Sequence, residues 1–304
     1  MAPAAKKDHS SFLFQTGDVA AICDLMYGLR DLVETVRFNV TEEGINIGET
    51  ACQDNLFLFA RFLAERFTKF KCVGETTISF YPEHLHKVLN NHQQRDVMVC
   101  EFTSKKEARL LITKYPHGDD TTVEEYEIPL LAEEPMLFSS PKREVDYLLA
   151  FNSGILSTIL SGLNSIEKDF EHNWVTIHCT PDQVRFSMDH GCMIGKAQFT
   201  LLTNRGDAAK PTTAATTTGQ QQVQTEAAGT EEMDAVERVE VQTEVSHQYR
   251  LQFLHQMLKC FSITKGGIFM YVSKDYPLVF EIKVGSLGEL KAALMFRDMG
   301  NEDE

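Results

Sequence analysis

One arrangement of residues occurs twice along the chain, and few folds accommodate both copies. Around Gly17 a strand leads into a helix running to Val33, followed by a strand from Thr35 to Val40, a turn at Glu42-Glu43-Gly44 and a strand from Ile45 to Gly48. The order returns around Gly154. A strand from Tyr147 to Phe151 leads through Ser153-Gly154 into a helix to Ile166, then a strand Trp174 to Cys179, a turn at Thr180-Pro181-Asp182 and a strand Val184 to Met188. Each copy then has a shorter helix, Leu85-His86-Lys87-Val88-Leu89 in the first and Leu254-His255-Gln256-Met257-Leu258 in the second. A two-stranded ribbon follows each, predicted to turn at Ser104-Lys105-Lys106 and at Thr264-Lys265-Gly266-Gly267. Two halves of one α+β architecture are the simplest account. The layout suggests a scaffold, and a ring, rather than an enzyme.

Length and charge narrow the class further. A chain of 304 residues, 43% hydrophobic, can bury two cores of ordinary size. No apolar run reaches the roughly eighteen residues that a membrane helix needs, and Met1 to Ser11 shows no apolar stretch of the kind secretion requires. Seven cysteines stand singly, as expected of reduced thiols inside a cell. The net charge of −15 opposes nucleic-acid binding unless the cations gather on one surface while acid covers the rest.

The four helices supply a candidate surface. Val19, Ile22, Met26, Leu29 and Val33 make the buried stripe of the first, leaving Asp24, Tyr27, Gly28, Arg30 and Asp31 opposite. The second opens at Pro82, suited to a first turn, packs Leu85, Val88 and Leu89, and exposes His86, Lys87 and Asn90. The third buries Ile155, Ile159, Leu163 and Ile166 and exposes Ser157, Thr158, Ser161, Asn164 and Ser165. The fourth buries Leu251, Leu254 and Leu258 and exposes Gln252, His255, Gln256 and Lys259. Solvated helix faces usually carry many Glu and Lys. These are small, neutral or mildly basic, although periodicity alone leaves an ordinary solvated face equally open.

Several segments carry a resemblance. Tyr126 to Gly154 is similar to the interdomain linker of the proliferating cell nuclear antigen family of DNA sliding clamps. Val184-Arg185-Phe186-Ser187 with Gly195-Lys196-Ala197-Gln198-Phe199 resembles that family's second-domain interface strand. Tyr276 to Lys283 with Leu287-Gly288-Glu289-Leu290-Lys291 resembles its ending, and Leu29 to Val33 with Gly44 to Ile47 is a looser match. Together they cover Phe12 to about Phe296 apart from one insertion.

The resemblance implies two similar clamp domains per chain, residues 10–130 and 146–297, joined by a linker at 131–145 and followed by an acidic tail at 298–304. It implies a closed homotrimeric ring with helices inside and antiparallel sheets outside, no cofactor, and work in a nucleus or a viral replication compartment. The implied partners are double-stranded DNA, a DNA polymerase, a clamp loader and clients bearing short aromatic-containing motifs. Channel positions carried over are Arg30, Lys87 and Lys259, with His255 beside them; Asp24, Asn90 and the serines of the third helix replace expected cations. Ring closure falls on the edges Thr121 to Pro129, including Tyr126, and Cys192 to Thr200, including Gly195, Lys196 and Phe199. The client pocket falls on Phe138, Pro141, Pro277, Leu294, Met295 and Phe296, where Thr50 and Ser140 replace larger apolar residues.

Residues 205–233, rich in Thr, Ala and Gln, read as a disordered insertion before a strand from Val236 to Val245. Catalytic signatures are missing: there is no GxxxxGK[ST], GxGxxG, GxSxG or HExxH. His84, His86 and His92 do not share a helix face, and the paired acids Asp119-Asp120, Glu124-Glu125 and Glu133-Glu134 fit solvated loops. A two-metal nuclease is the enzyme alternative. A monomeric processivity factor or one member of a mixed ring is the alternative within the fold.

Overall fold

The computed structural model describes residues 12–52, 54–102, 109–116, 123–132, 140, 146–164, 174–180, 183–189, 196–202, 244–261 and 267–297. It divides into two compact units. Unit 1 comprises Met1–Ala51, Phe57–Ser140 and Lys283–Leu290; unit 2 comprises Cys52–Leu56, Pro141–Ile282 and Lys291–Glu304.

Unit 1 contains β1 (Phe12–Thr16), α1 (Val19–Leu29), β2 (Val36–Thr41), β3 (Gly44–Ala51), β4 (Leu56–Leu63), β5 (Lys69–Cys72), β6 (Thr76–Phe80), α2 (Pro82–Leu89), β7 (Val97–Phe102), β8 (Arg109–Tyr115) and β9 (Glu124–Pro129). One sheet runs in the order β5-β1-β7-β8-β9, with Phe12 opposite Phe102 and Tyr126 opposite Ile112. The strands β4-β3-β2-β6 form the other, with Phe38 opposite Ile78. Strand residues alternate between core and outside as the two-residue period demands. Thus Phe12, Phe14, Val36, Phe38 and Val40 are buried while their neighbours are not. Helices α1 and α2 pack together.

The expected stripe of α1 is present: Val19, Ile22, Met26, Leu29 and Val33 are all buried, at about 2 kcal/mol or more for each larger side chain removed from water. The helix itself stops at Leu29 rather than Val33, its last turn closed by the Arg30 and Val33 amides on Met26 and Leu29 carbonyls. Asp18 stands at the N-cap but its carboxylate does not cap. It accepts instead from the backbone N–H and the hydroxyl of Ser286, at 2.7 and 3.0 Å, tying the start of α1 to the turn at Gly285. In the same unit the Leu63 N–H donates to Leu287 O, and a Cβ on Gly288 would strike the Arg61 carbonyl, so the segment 287–288 runs against 61–63. Arg37 and Glu49 form a nearly buried pair, the carboxylate accepting from the guanidinium and from the Arg37 backbone N–H, the closest contacts at 2.7 Å.

Unit 2 repeats the plan with β10 (Tyr147–Asn152), α3 (Ser153–Asn164), β11 (Trp174–Thr180), β12 (Gln183–Asp189), β13 (Lys196–Leu202), β14 (Val245–Arg250), α4 (Leu251–Phe261), β15 (Gly267–Val272) and β16 (Leu278–Val284). Strand β17 (Gly288–Leu294) starts in unit 1 and ends here. One sheet has the order β13-β12-β11-β14, and β10 pairs with β15 and β15 with β16. Helices α3 and α4 pack together. In sequence order the counterparts are β1 and β10, α1 and α3, β2 and β11, β3 and β12, β4 and β13, β6 and β14, α2 and α4, β7 and β15, β8 and β16, β9 and β17.

Three sequence expectations need correction, and a fourth falls outside the described residues. The second ribbon turns at 273–277, between β15 and β16; Gly267 is the first residue of β15, and 264–266 lie outside the described residues. In α3 the buried positions are Leu156, Ile159, Leu160 and Leu163, with Ile155 half-exposed, because packing against α4 and the neighbouring strands selects the stripe of Leu156, Leu160 and Leu163; Ile166 lies outside the described residues. In α4 Phe253 and Met257 join Leu251 and Leu254 in the core, while Leu258 is half-exposed. The described strand before α4 begins at Val245, and residues 236–243, like 205–233, lie outside the described residues. Five described cysteines are free, and burial pushes the thiols of Cys23 and Cys52 up to about 11 and that of Cys179 to about 12. They act as packing residues, uncharged at neutral pH.

Candidate nucleic-acid and partner surfaces

On the α1–α2 pair, four side chains of the expected channel face form one group. Arg30 lies with its guanidinium 4.2 Å from the Tyr27 ring centroid, and its Nη1 reaches His86 Nδ1 at 3.3 Å and its Nε reaches Asp31 at 3.5 Å. Tyr27 is 42% exposed and stacks obliquely on His86. Lys87 is exposed but bonds Glu83 one turn back at 2.6 Å, which holds the Glu83 carboxyl below its usual range. The face is therefore only mildly cationic.

His86 corrects the expectation of an exposed polar residue: it is 8% exposed, covered by Tyr27 and Arg30. Because Arg30 can only donate, His86 Nδ1 accepts and Nε2 carries the proton of the neutral ring. Burial first, and the Arg30 charge second, depress its basicity. The unfolded chain thus takes up the proton first as pH falls below about 6.5, so this residue lowers stability on the acid side and contributes nothing above it. Thermal melts followed downward from pH 6.5 should fall less steeply for His86→Gln than for the parent; parallel profiles would contradict this assignment.

In unit 2 the α3 face is neutral: Ser157, Thr158 and Ser161 are exposed, with the Thr158 hydroxyl bonded back to the Gly154 carbonyl at 2.8 Å. On α4 His255 is half-exposed, and Gln256 accepts from the Cys52 thiol. Lys259 lies in α4 with its side chain outside the described residues. Among the described residues no three His, Cys, Asp or Glu side chains assemble as a metal-binding group.

The two strands expected at a subunit boundary are both last in their sheets, β9 beyond β8 and β13 beyond β12. Tyr126 is exposed on β9 and donates its hydroxyl to Glu124 at 3.0 Å. Glu127 pairs with Arg109. On β13, Lys196 lies opposite Asp189 and Phe199 opposite Phe186, with side chains outside the described residues; Thr121, Cys192 and Gly195 lie outside them entirely.

Behind β9 is a cluster that no sequence motif marks. Lys114, 3% exposed, places its ammonium 3.4 Å from Asp96, 3.5 Å from Glu124 and 3.2 Å from the Asn91 carbonyl. Asp96 also accepts from the Gln93 N–H. The signal was available: Leu110, Ile112 and Lys114 alternate onto the inner face of β8, and a lysine there must find carboxylates.

Of the expected client pocket, Phe138 and Pro141 lie outside the described residues. Pro277 is half-buried and Met295 is 41% exposed, whereas Leu294 is fully buried and offers no surface, a correction that follows from β17 being covered on both faces from Leu290 to Leu294. Phe296 stacks on His247.

The arrangement of two α+β repeats, each with a helix pair and antiparallel sheets, is that of a sliding clamp. Residues 14–134 match the family model for the proliferating cell nuclear antigen, N-terminal domain. Among solved structures, the fold matches a proliferating cellular nuclear antigen from Entamoeba histolytica with a TM-score of 0.71 at 15% identity, over 95% of this chain and 100% of that one. Residues 14–134 are thus similar to that family's N-terminal domain, and the chain as a whole has the fold of a proliferating cell nuclear antigen. Family members are scaffolds rather than enzymes in replication and repair. No helix among the described residues is long and apolar enough to cross a membrane.

Proposed function

We propose that the protein is a DNA polymerase processivity factor that closes as a homotrimer around duplex DNA and tethers polymerase and other clients, without catalysis of its own. One observation carries the reading. Segments 61–63 of β4 and 287–288 run against each other in unit 1, and their repeat counterparts β13 and β9 each end a sheet. An uncovered strand edge invites pairing with another chain, and the two edges complement each other, so head-to-tail addition closes a ring. Arg30, Lys87, His255 and Lys259 then face the duplex, a modest set of cations suited to contact without register.

In this reading residues 10–130 and 146–297 are the two clamp domains, 131–145 the linker, 205–233 an insertion and 298–304 an acidic tail. Pro277 and Met295 join Phe138 and Pro141 at the client site, loading requires a clamp loader, and the work is done in a nucleus or viral replication compartment. Light scattering should give a particle of three times the 34.4 kDa chain. Loaded by a clamp loader, the protein should stay on a nicked DNA circle and run off once the circle is cut, because topology rather than affinity holds it. A single-chain mass at micromolar concentration, or equal retention on circle and line, would overturn the proposal.

A further inference from the structure

Arg30 is held from three sides on the α1–α2 face. Its guanidinium carbon lies 4.2 Å from the Tyr27 ring centroid, Nη1 is 3.3 Å from His86 Nδ1 and Nε is 3.5 Å from Asp31. Tyr27 stands three residues before Arg30, so both project from the same side of α1. Its ring leans on His86 of α2, with centroids 5.3 Å apart and planes at 47°. Lys87 keeps its charge and its Glu83 partner whatever the state of His86, so the variable cation of this helix pair is Arg30.

The cluster has two exclusive states. In one the imidazole is neutral, Nδ1 accepts from the guanidinium, and the guanidinium lies over the phenol ring. In the other a proton occupies Nδ1. Donor then faces donor, two positive charges stand where one hydrogen bond was, and the guanidinium leaves the ring on its long stem. Burial opposes the second state most, followed by the Arg30 charge; Asp24 on α1 and Glu83 on α2 favour it. The strand β9 also meets α2, but its acids Glu124, Glu125 and Glu127 are not among the charges acting on His86. Ionisation and release therefore drive each other. A phosphate that draws Arg30 away makes the imidazole more basic, and a protonated imidazole frees Arg30 for a phosphate.

We infer that Tyr27 and His86 are positioning residues that park Arg30 away from the duplex, and that protonation of His86 releases Arg30 to a DNA phosphate, so that DNA binding takes up a proton. The inference rests on the proposed DNA-facing role of the α1–α2 pair and adds a control on when one of its cations is available.

Acidification from a net charge of −15 toward the pI of about 5.1 favours DNA binding by any variant, so the quantity to read is a difference. The reference is His86→Gln, whose amide still accepts from Arg30 and does not titrate. Affinity for a short labelled duplex is measured by anisotropy at several salt concentrations, at about pH 7.5 and about pH 5.8, either side of the ordinary histidine value. On acidification the parent should gain about threefold more affinity than His86→Gln, for one linked proton. Its salt dependence should steepen by about one further phosphate contact. Tyr27→Ala removes the seat and should bind the duplex more tightly than the parent at the higher pH, which loss of a merely structural contact does not produce. Without DNA, the Arg30 Nε–H resonance of arginine-labelled protein, assigned from its loss in Arg30→Lys, should move with pH in the parent and stay in place in His86→Gln. Equal pH responses of the parent and His86→Gln, weaker binding by Tyr27→Ala, or an Arg30 resonance indifferent to His86 would each overturn the inference. Equal responses in a protein still retained on a nicked circle leave the clamp reading standing. Absence of duplex binding at both pH values, with the resonance still following His86, sinks the clamp reading and the phosphate step together.

Discussion

Replacing Lys114 by Met is expected to lower stability by about 3–5 kcal/mol, the usual consequence of stripping one partner from a buried ion pair. The lysine ammonium lies 3.4 Å from Asp96, which is 1% exposed, and it also reaches Glu124 on β9. Methionine fills the volume but takes the Lys114 charge away from a carboxylate that is almost fully buried. The melting temperature should fall on the order of 10 °C. The second effect is on assembly, because Glu124 then loses the anchor that holds the outer strand of the sheet in place. Light scattering at micromolar concentration should show the mass shift toward one chain. Pairing Lys114→Met with Asp96→Asn should recover part of the lost stability, since the amide oxygen still accepts from Gln93 without carrying charge. A melting temperature unchanged within error would mean the cluster contributes nothing, and a full-mass particle would mean that the edge holds its shape without it.

A comparable loss is expected from Gly44→Ala. Gly44 has φ of +143°, and a Cβ there would run into the Phe62 carbonyl oxygen and press on the Ala64 amide. These are backbone atoms, so no side-chain rotation relieves the collision. The strained backbone alone costs about 1–3 kcal/mol for a non-glycine residue, and the displacement of β4 adds to it. We expect at least about 3 kcal/mol in denaturant titration, with the loss appearing in the midpoint rather than the slope. Gly17 provides the control: a Cβ there meets nothing within 4 Å, so Gly17→Ala should change little. Equal behaviour of the two variants would show that the turn at Gly44 relaxes freely.

Repetition was legible from the start because it is written in period and punctuation. Val19, Ile22, Met26 and Leu29 declare a helix by their spacing, and Gly44 closes a turn that only a glycine can make. The polar partners of the helices were not legible. His86 sits at a position that the helical wheel assigns to solvent, and only the neighbouring helix, through Tyr27 and Arg30, covers it. In α3 two overlapping stripes were available, Ile155 with Ile159 and Leu156 with Leu160, and periodicity cannot choose between them without the sheet beneath. Lys114 was readable in retrospect, because alternation puts it inside, but its partners Asp96 and Glu124 are far apart in sequence. Trp174 meets Arg250 and Arg297, which joins β11, β14 and the segment after β17 in a juxtaposition that no local pattern encodes.

The bond between Asp18 and Ser286 sets an order of events in synthesis. Unit 1 is completed by residues 283–290, which leave the ribosome after residues 141–282 of unit 2. Its first helix therefore waits, partly unsupported, through translation of the entire second unit, and the nascent chain cannot mature one half at a time as chains with self-sufficient domains do. A break near the far end would be felt at the beginning.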